Sequence, residues 1–192
     1  MLFRSVFVSD SSSAVLTDCV ITGNSGDLGG GVACRNSSSA ELVNCVVTGN
    51  TAANGAGGLH LEGGSGSVSG SLISGNTGRR GGAIFARNGA TVEVLESSLL
   101  DNQADDGGAI ALEGGGLVLN LSKVVGNTAT QNGGGIYAMN SASVELYATK
   151  VTNNDAQTGG GIYADGGLLS LVRSTVATNG QARSEEHTSE LQ

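Results

Sequence analysis

The side chains that could perform acid–base or metal chemistry are few in this 192-residue chain. The densest acidic group is Asp101, Asp105 and Asp106. Calcium needs six to eight converging oxygens, and inverting glycoside hydrolases need two carboxyl groups about 6.5–9.5 Å apart. Asp101 with Asp105 or Asp106 could meet the second requirement, but the segments about one repeat away carry Arg79–Arg80 and Gln131–Asn132. We therefore predict no metal site and assign no catalytic residue.

The sequence gives no better support for nucleophilic catalysis or for phosphate binding. His60 is the only histidine before the last ten residues, and no Ser or Cys partner lies at a recognisable spacing. The glycine runs lack the following helix and lysine of a phosphate-binding loop. Three cysteines give no zinc spacing. We therefore expect no cofactor.

A repeat of about 26 residues dominates the chain, and its clearest mark is a column of asparagines. An aliphatic residue stands three positions before each of them, and Cys, Ser or Thr stands five before. The asparagines are Asn24, Asn50, Asn76, Asn102, Asn127, Asn154 and Asn179.

Each repeat also contains a glycine motif and a VEL-type segment. The glycine motif ends in Val, Leu or Ile, as in GGAI at Gly81–Ile84 and GGGI at Gly133–Ile136. Apolar residues alternate along the VEL-type segment with the period of a strand. Three short strands per repeat, stacked in register, predict an all-β, single-stranded parallel β-helix of about seven turns.

The combined motifs resemble a known family. GGGIYA at Gly133–Ala138, followed by SVEL and VTNN, is similar to right-handed parallel β-helix repeats of bacterial surface proteins. The paired GG[AG]I and [VIL]xxN elements resemble those of polymorphic outer-membrane proteins, in which the second motif usually begins with Phe. The resemblance implies a right-handed, pectin-lyase-like fold and a secreted or cell-surface passenger domain.

The first strand of each repeat predicts a strip of outward side chains. If the aliphatic residue that ends the glycine motif faces inward, the next residue faces outward. This places His60, Phe85, Tyr137 and Tyr163 on one outer face, with Ala33 and Ala111 between them. Exposed aromatic rings there could contact sugars or a host-surface partner, or they could simply pack between strands. We take these four as candidate ligand-binding residues.

Other repeated polar positions are interpreted as structural. The asparagine column is expected to hydrogen-bond along the coil as a ladder. Cys19 and Cys45 share one column, and their expected spacing of about 4.8 Å favours a buried thiol pair over a disulfide. Glu41, Glu93 and Glu145 are expected on a solvated face, two turns apart.

Charge and hydropathy argue against nucleic-acid binding and against a transmembrane segment. The formal net charge is −8 and there is no basic stripe, so nucleic-acid binding is not expected. No run of about 18 apolar residues predicts a transmembrane segment.

The last ten residues, Arg183–Gln192, break the repeat and resemble the in-frame translation of a sequencing adapter, although a charged solvated tail would also fit. We predict a β-helix domain over residues 1–180 and a non-native or disordered tail over residues 181–192. The domain is expected to be truncated at both ends, because the first turn lacks its glycine motif and neither end shows a cap.

The function predicted from these features is a non-enzymatic secreted or cell-surface module, either an adhesin-like passenger or a structural stalk. The alternative is a fragment of a polysaccharide lyase or glycoside hydrolase of pectin-lyase-like fold, with its catalytic residues outside this chain.

Overall fold

The computed structural model describes residues 2–3 and 5–181, which form 28 short strands and no helix. The strands stack as parallel neighbours into three long walls and one interrupted wall. Each strand pairs with its equivalent one turn further along the chain, so the molecule is the predicted parallel β-helix.

Wall 1 follows the glycine motif. Its seven strands are β2 (Val6–Val8), β6 (Val32–Cys34), β10 (Leu59–Glu62), β13 (Ile84–Arg87), β17 (Ile110–Glu113), β21 (Ile136–Met139) and β25 (Ile162–Ala164).

Wall 2 contains the VEL-type segments. Its strands are β3 (Ser13–Thr17), β7 (Ser39–Val43), β11 (Ser65–Ser69), β14 (Thr91–Leu95), β18 (Gly116–Asn120), β22 (Ala142–Tyr147) and β26 (Gly167–Val172).

Wall 3 lies just before the asparagines. Its strands are β1 (Leu2–Phe3), β4 (Val20–Thr22), β8 (Val46–Thr48), β12 (Leu72–Ser74), β15 (Ser98–Leu100), β19 (Lys123–Val125), β23 (Lys150–Thr152) and β27 (Thr175–Ala177).

Wall 4 was not predicted and follows the asparagines. It consists of the pair β5 (Ser25–Gly26) and β9 (Thr51–Ala52), and of β16 (Gln103–Asp106), β20 (Thr128–Asn132), β24 (Asp155–Ala156) and β28 (Gly180–Gln181). Isolated bridges at Thr77 connect its two parts.

The core is the inside of the coil and is filled by stacked aliphatic side chains. Ile84, Ile110 and Ile136 pair in register and are fully buried, as the inward assignment predicted. All three cysteines are buried free thiols, which agrees with the predicted thiol pair at Cys19 and Cys45.

The glycine motif makes the sharp bend that leads into wall 1. Gly81 has a φ of +60°, and a side chain there would collide with the carbonyl group of Ile84. Glycine is needed at this position because both the left-handed backbone and the close approach exclude a Cβ atom.

The chain that leads into the glycine bend lies against the outer face of wall 1, and this buries most of the aromatic strip. His60 and Phe85 are 0% and 2% exposed, and Tyr137 is 8% exposed. The prediction that these side chains are exposed is therefore wrong, and only Tyr163 remains half-buried. At His60 and Phe85 the cover comes from Gly55 and Ala56, which follow Asn50 and lead into the glycine bend.

The predicted tail lies almost wholly outside the described residues. Gln181 is an exception, because it ends strand β28.

Candidate functional site

An open groove of about 670 Å³ crosses the outer face of wall 2 over five consecutive turns. Strand alternation builds it: Val92 and Val94 face the core, whereas Thr91 and Glu93 face out. The hydroxyl-bearing residues of its lining are Ser13, Ser39, Ser65, Ser67 and Thr91. This face therefore presents repeated hydrogen-bonding groups to any ligand that lies along the coil.

Two carboxylates stand in this groove with a serine between them. Ser67 pairs in register with Glu41 on one side and with Glu93 on the other. The two glutamates are thus two turns apart, or about 10 Å at roughly 4.8 Å per turn. At that distance they act as separate hydrogen-bond acceptors and do not share one proton.

The acidic residues singled out in the sequence come together only in part. Asp105 and Asp106 line a polar pocket of about 120 Å³ with Arg79, Arg80 and Gln131, whereas Asp101 does not line it.

Contacts between turns already engage both carboxylates of this pocket. The Asn132 amide donates to Asp106 Oδ1 over 2.9 Å, and the Thr130 hydroxyl donates to Asp105 Oδ1 over 3.2 Å. Arg80 is ion-paired with Glu113. The geometry thus explains these residues as cross-links between turns.

The four candidate binding residues form two separate aromatic pairs. His60 and Phe85 meet edge to face with ring centres 5.2 Å apart, and Tyr137 stacks on Tyr163 at 5.4 Å. Ala111 separates the pairs, since it pairs with Tyr137 and with Phe85 in the adjoining strands. The strip packs as a second apolar layer between wall 1 and its cover.

His60 is the most unusual member of that layer. Among the described residues, neither of its ring nitrogens has a hydrogen-bond partner. Burial, with a smaller contribution from the positive charge of Arg87, lowers the pKa of His60 to about 4. The imidazole is therefore neutral near pH 7 and serves as an apolar ring.

The asparagines line up along the whole coil. Asn102 Nδ2 donates to Asn127 Oδ1 over 3.0 Å and to the Ile73 carbonyl over 3.1 Å. Its own Oδ1 accepts from the backbone and the side-chain amide of Asn76, both at 3.0 Å. The same arrangement repeats from turn to turn, so the amides satisfy buried backbone groups.

Sequence reasoning missed two exposed aromatic residues, Phe7 in β2 and Tyr147 at the end of β22. For Tyr147 the reason lies in its strand. The signal was available: in SVELY, Ser143, Glu145 and Tyr147 occupy alternate positions of one strand and share its outer face.

Two further findings concern the described part of the chain alone. It contains no group of three or more His, Cys, Asp and Glu side chains placed to hold a metal ion. None of it forms a helix long and apolar enough to cross a membrane.

Comparison with known proteins gives one match. A family described as "Right handed beta helix region" matches residues 4–176. Neither the curated proteins nor the solved structures that were searched contain a match to the chain.

Proposed function

Because the chain belongs to the right-handed β-helix family, we propose that it is a non-enzymatic, secreted or cell-surface module that holds an extended neutral polysaccharide on wall 2. The observation that carries this proposal is the hydroxyl-lined groove across five turns of the coil. A polymer with regularly spaced hydroxyl groups matches a surface whose hydrogen-bonding groups recur at each turn.

The charge of the groove favours a neutral polymer over an acidic one. Its two carboxylates, Glu41 and Glu93, accept hydrogen bonds from sugar hydroxyls but repel a polyanion. The net charge of −8 also repels a polyanion, and it does so at longer range.

This proposal moves the predicted glycan contact from wall 1 to wall 2. His60, Phe85 and Tyr137 are covered, whereas Glu41 and Glu93 are exposed. An adhesin-like passenger and a surface stalk are both compatible with such a module.

Affinity electrophoresis in gels that contain a soluble β-glucan or a mannan tests the proposal. We expect retardation of the wild type and its loss in Ser67→Trp, because the indole would fill the middle of the groove. Ser98→Trp is the matched control, since Ser98 is a half-buried serine on the outer face of wall 3. Unchanged retardation of Ser67→Trp, or no retardation of the wild type, would overturn the proposal.

A second candidate function is polysaccharide cleavage, and the corner pocket is the observation in its favour. It brings Arg79, Arg80, Asp105 and Asp106 together, which are residue types that lyases and hydrolases use. Incubation with polygalacturonate tests it, with detection of unsaturated products for a lyase and of new reducing ends for a hydrolase. Turnover that is lost in Asp105→Ala or Asp106→Ala would establish cleavage and contradict the non-enzymatic proposal.

A further inference from the structure

We propose that Tyr147 is the platform of a sugar-binding subsite, on which one neutral pyranose ring stacks at the corner between walls 2 and 3. This inference rests on the proposed function and names a second contact for the same class of ligand.

The tyrosine ring is exposed, and one hydrogen bond restrains its orientation. Tyr147 is 36% exposed, and its hydroxyl group donates to Glu145 Oε2 over 2.7 Å. The hydrogen bond and the negative charge of Glu145 raise the pKa of Tyr147. A ring that is held in place loses little conformational freedom when a ligand stacks on it.

A concavity of about 420 Å³ lies beside the ring. It is lined by Asn120, Leu121, Tyr147, Ala148, Val172 and Arg173. Asn120, Tyr147 and Val172 are register partners on three successive strands. The coil therefore brings together residues that are about 25 positions apart in the sequence.

Leu121 adds a second unusual feature to this concavity. Its side chain is 55% exposed, and its backbone has a φ of +51°, a conformation that costs energy for a branched side chain. The equivalent corners of the neighbouring turns, at Glu96 and Ala148, have the same left-handed backbone, so this conformation belongs to the corner of the coil. What distinguishes Leu121 is its exposed apolar side chain, which suits a contact surface.

The mixture of groups matches a pyranose ring. One face of such a ring carries C–H groups that pack on an aromatic face, while its rim carries hydroxyls. Tyr147, Leu121 and Val172 supply the apolar surface. Asn120 can donate and accept hydrogen bonds, and Arg173 can donate several.

The subsite also continues the groove on wall 2. The groove lining extends to Val118, whose register partner in the next strand is Glu145. Tyr147 follows two residues later on the same outer face. A polymer in the groove would therefore reach the tyrosine within one further turn.

Tyrosine fluorescence provides a direct test, because the chain has three tyrosines and no tryptophan. In Tyr137→Phe/Tyr163→Phe, Tyr147 is the only tyrosine left. We expect titration with a β-linked glucose tetrasaccharide or an α-linked one to change its emission and to saturate. In the wild-type background, calorimetry should show at least a tenfold loss of affinity in Tyr147→Ala and less than a threefold loss in Tyr147→Phe.

The groove variant separates this inference from the proposed function. The subsite is supported when Ser67→Trp still binds the tetrasaccharide and Tyr147→Ala, with an unchanged melting temperature, does not. Polymer retention that depends on Ser67 but not on Tyr147 overturns the subsite and leaves the groove intact. Tetrasaccharide binding without polymer retention overturns the groove alone. Absence of saccharide binding overturns the subsite. The same conclusion holds if Tyr147 mediates self-association of the protein and no saccharide binds.

Discussion

His60 and Ser38 are buried polar side chains without hydrogen-bond partners in the described part of the chain, and we expect each to affect stability. His60 lies under the chain that leads into the glycine bend, and Ser38 lies at the corner between walls 1 and 2. A buried polar group without a partner loses its hydration and gains nothing in return.

The lowered pKa of His60 predicts that the protein loses stability in mild acid. Its pKa falls from the ordinary value of 6.5 to about 4 in the folded protein, so the unfolded chain binds the proton first as the pH drops. The free energy of unfolding should decrease by up to about 3 kcal/mol between pH 6.5 and pH 4. Urea denaturation at a series of pH values measures this loss.

The variant His60→Phe should remove that pH dependence, because Phe85 already occupies the same column in the next turn. His187 is present in both proteins, so it does not affect the comparison. Equal slopes of stability against pH for wild type and variant would contradict the assignment.

Ser38→Ala should raise the free energy of unfolding by about 1 kcal/mol, since the substitution removes a buried hydroxyl without a partner. Alanine already fills the equivalent position at Ala90 and Ala142. Ser71→Ala is the control: the Ser71 hydroxyl accepts from the Cys45 amide and donates to the Ser69 carbonyl. Loss of the Ser71 hydroxyl should lower the free energy of unfolding by about 1 kcal/mol or more. Denaturation curves that show a gain of stability for Ser38→Ala and a loss for Ser71→Ala would verify both assignments.

At the scale of strands, walls 1 and 2 compensate in size across the interior of two consecutive turns. Leu61 and Gly66 face each other in one turn, and Ala86 and Val92 occupy the equivalent positions in the next. A Cβ atom at Gly66 would lie only 2.6 Å from Leu61 Cδ1. The large residue thus comes from wall 1 in one turn and from wall 2 in the other.

This compensation predicts strong coupling between the two positions. Gly66→Val alone should cost about 1–3 kcal/mol through overpacking, and Leu61→Ala alone should cost about 2–5 kcal/mol through a cavity. The double variant copies the Ala86–Val92 combination and should be more stable than the sum of the single losses by at least about 1 kcal/mol. Additive losses in a double-mutant cycle would show that the two side chains are independent.

The asparagine ladder acts at the scale of the whole molecule, because it connects every turn from Asn24 to Asn179. Each internal amide completes the bonding of both neighbouring turns, so its loss leaves several buried groups without partners. The first member is different: within the described residues, the Asn24 side chain makes a single hydrogen bond, to Asn50 Oδ1.

Asn102→Ala should therefore lower the free energy of unfolding by about 3 kcal/mol or more, because it leaves the Asn76 donors and the Ile73 carbonyl unpaired. Asn24→Ala should cost only about 1 kcal/mol, for a single lost bond. Thermal or urea denaturation of both variants compares them, and similar losses would argue against a ladder whose internal members each serve two neighbours.

Much of the fold was determined by the sequence because a solenoid repeats local information. The asparagine column and the alternation of residues such as Val92 and Val94 set the turn length and the inward face, and in-register stacking follows from them. The position of the groove could be derived from the same alternation, although Tyr147 was overlooked.

Only the tertiary structure decided which outward faces are free. His60 and Tyr147 both follow the outward alternation of a strand, yet one is fully buried and the other is exposed. The difference arises because chain before the glycine bend, such as Gly55 beside His60, lies against wall 1, whereas wall 2 keeps an open groove. Strand periodicity shows on which face of a sheet a side chain lies. Whether that side chain is exposed depends on other segments of the chain that cover the face.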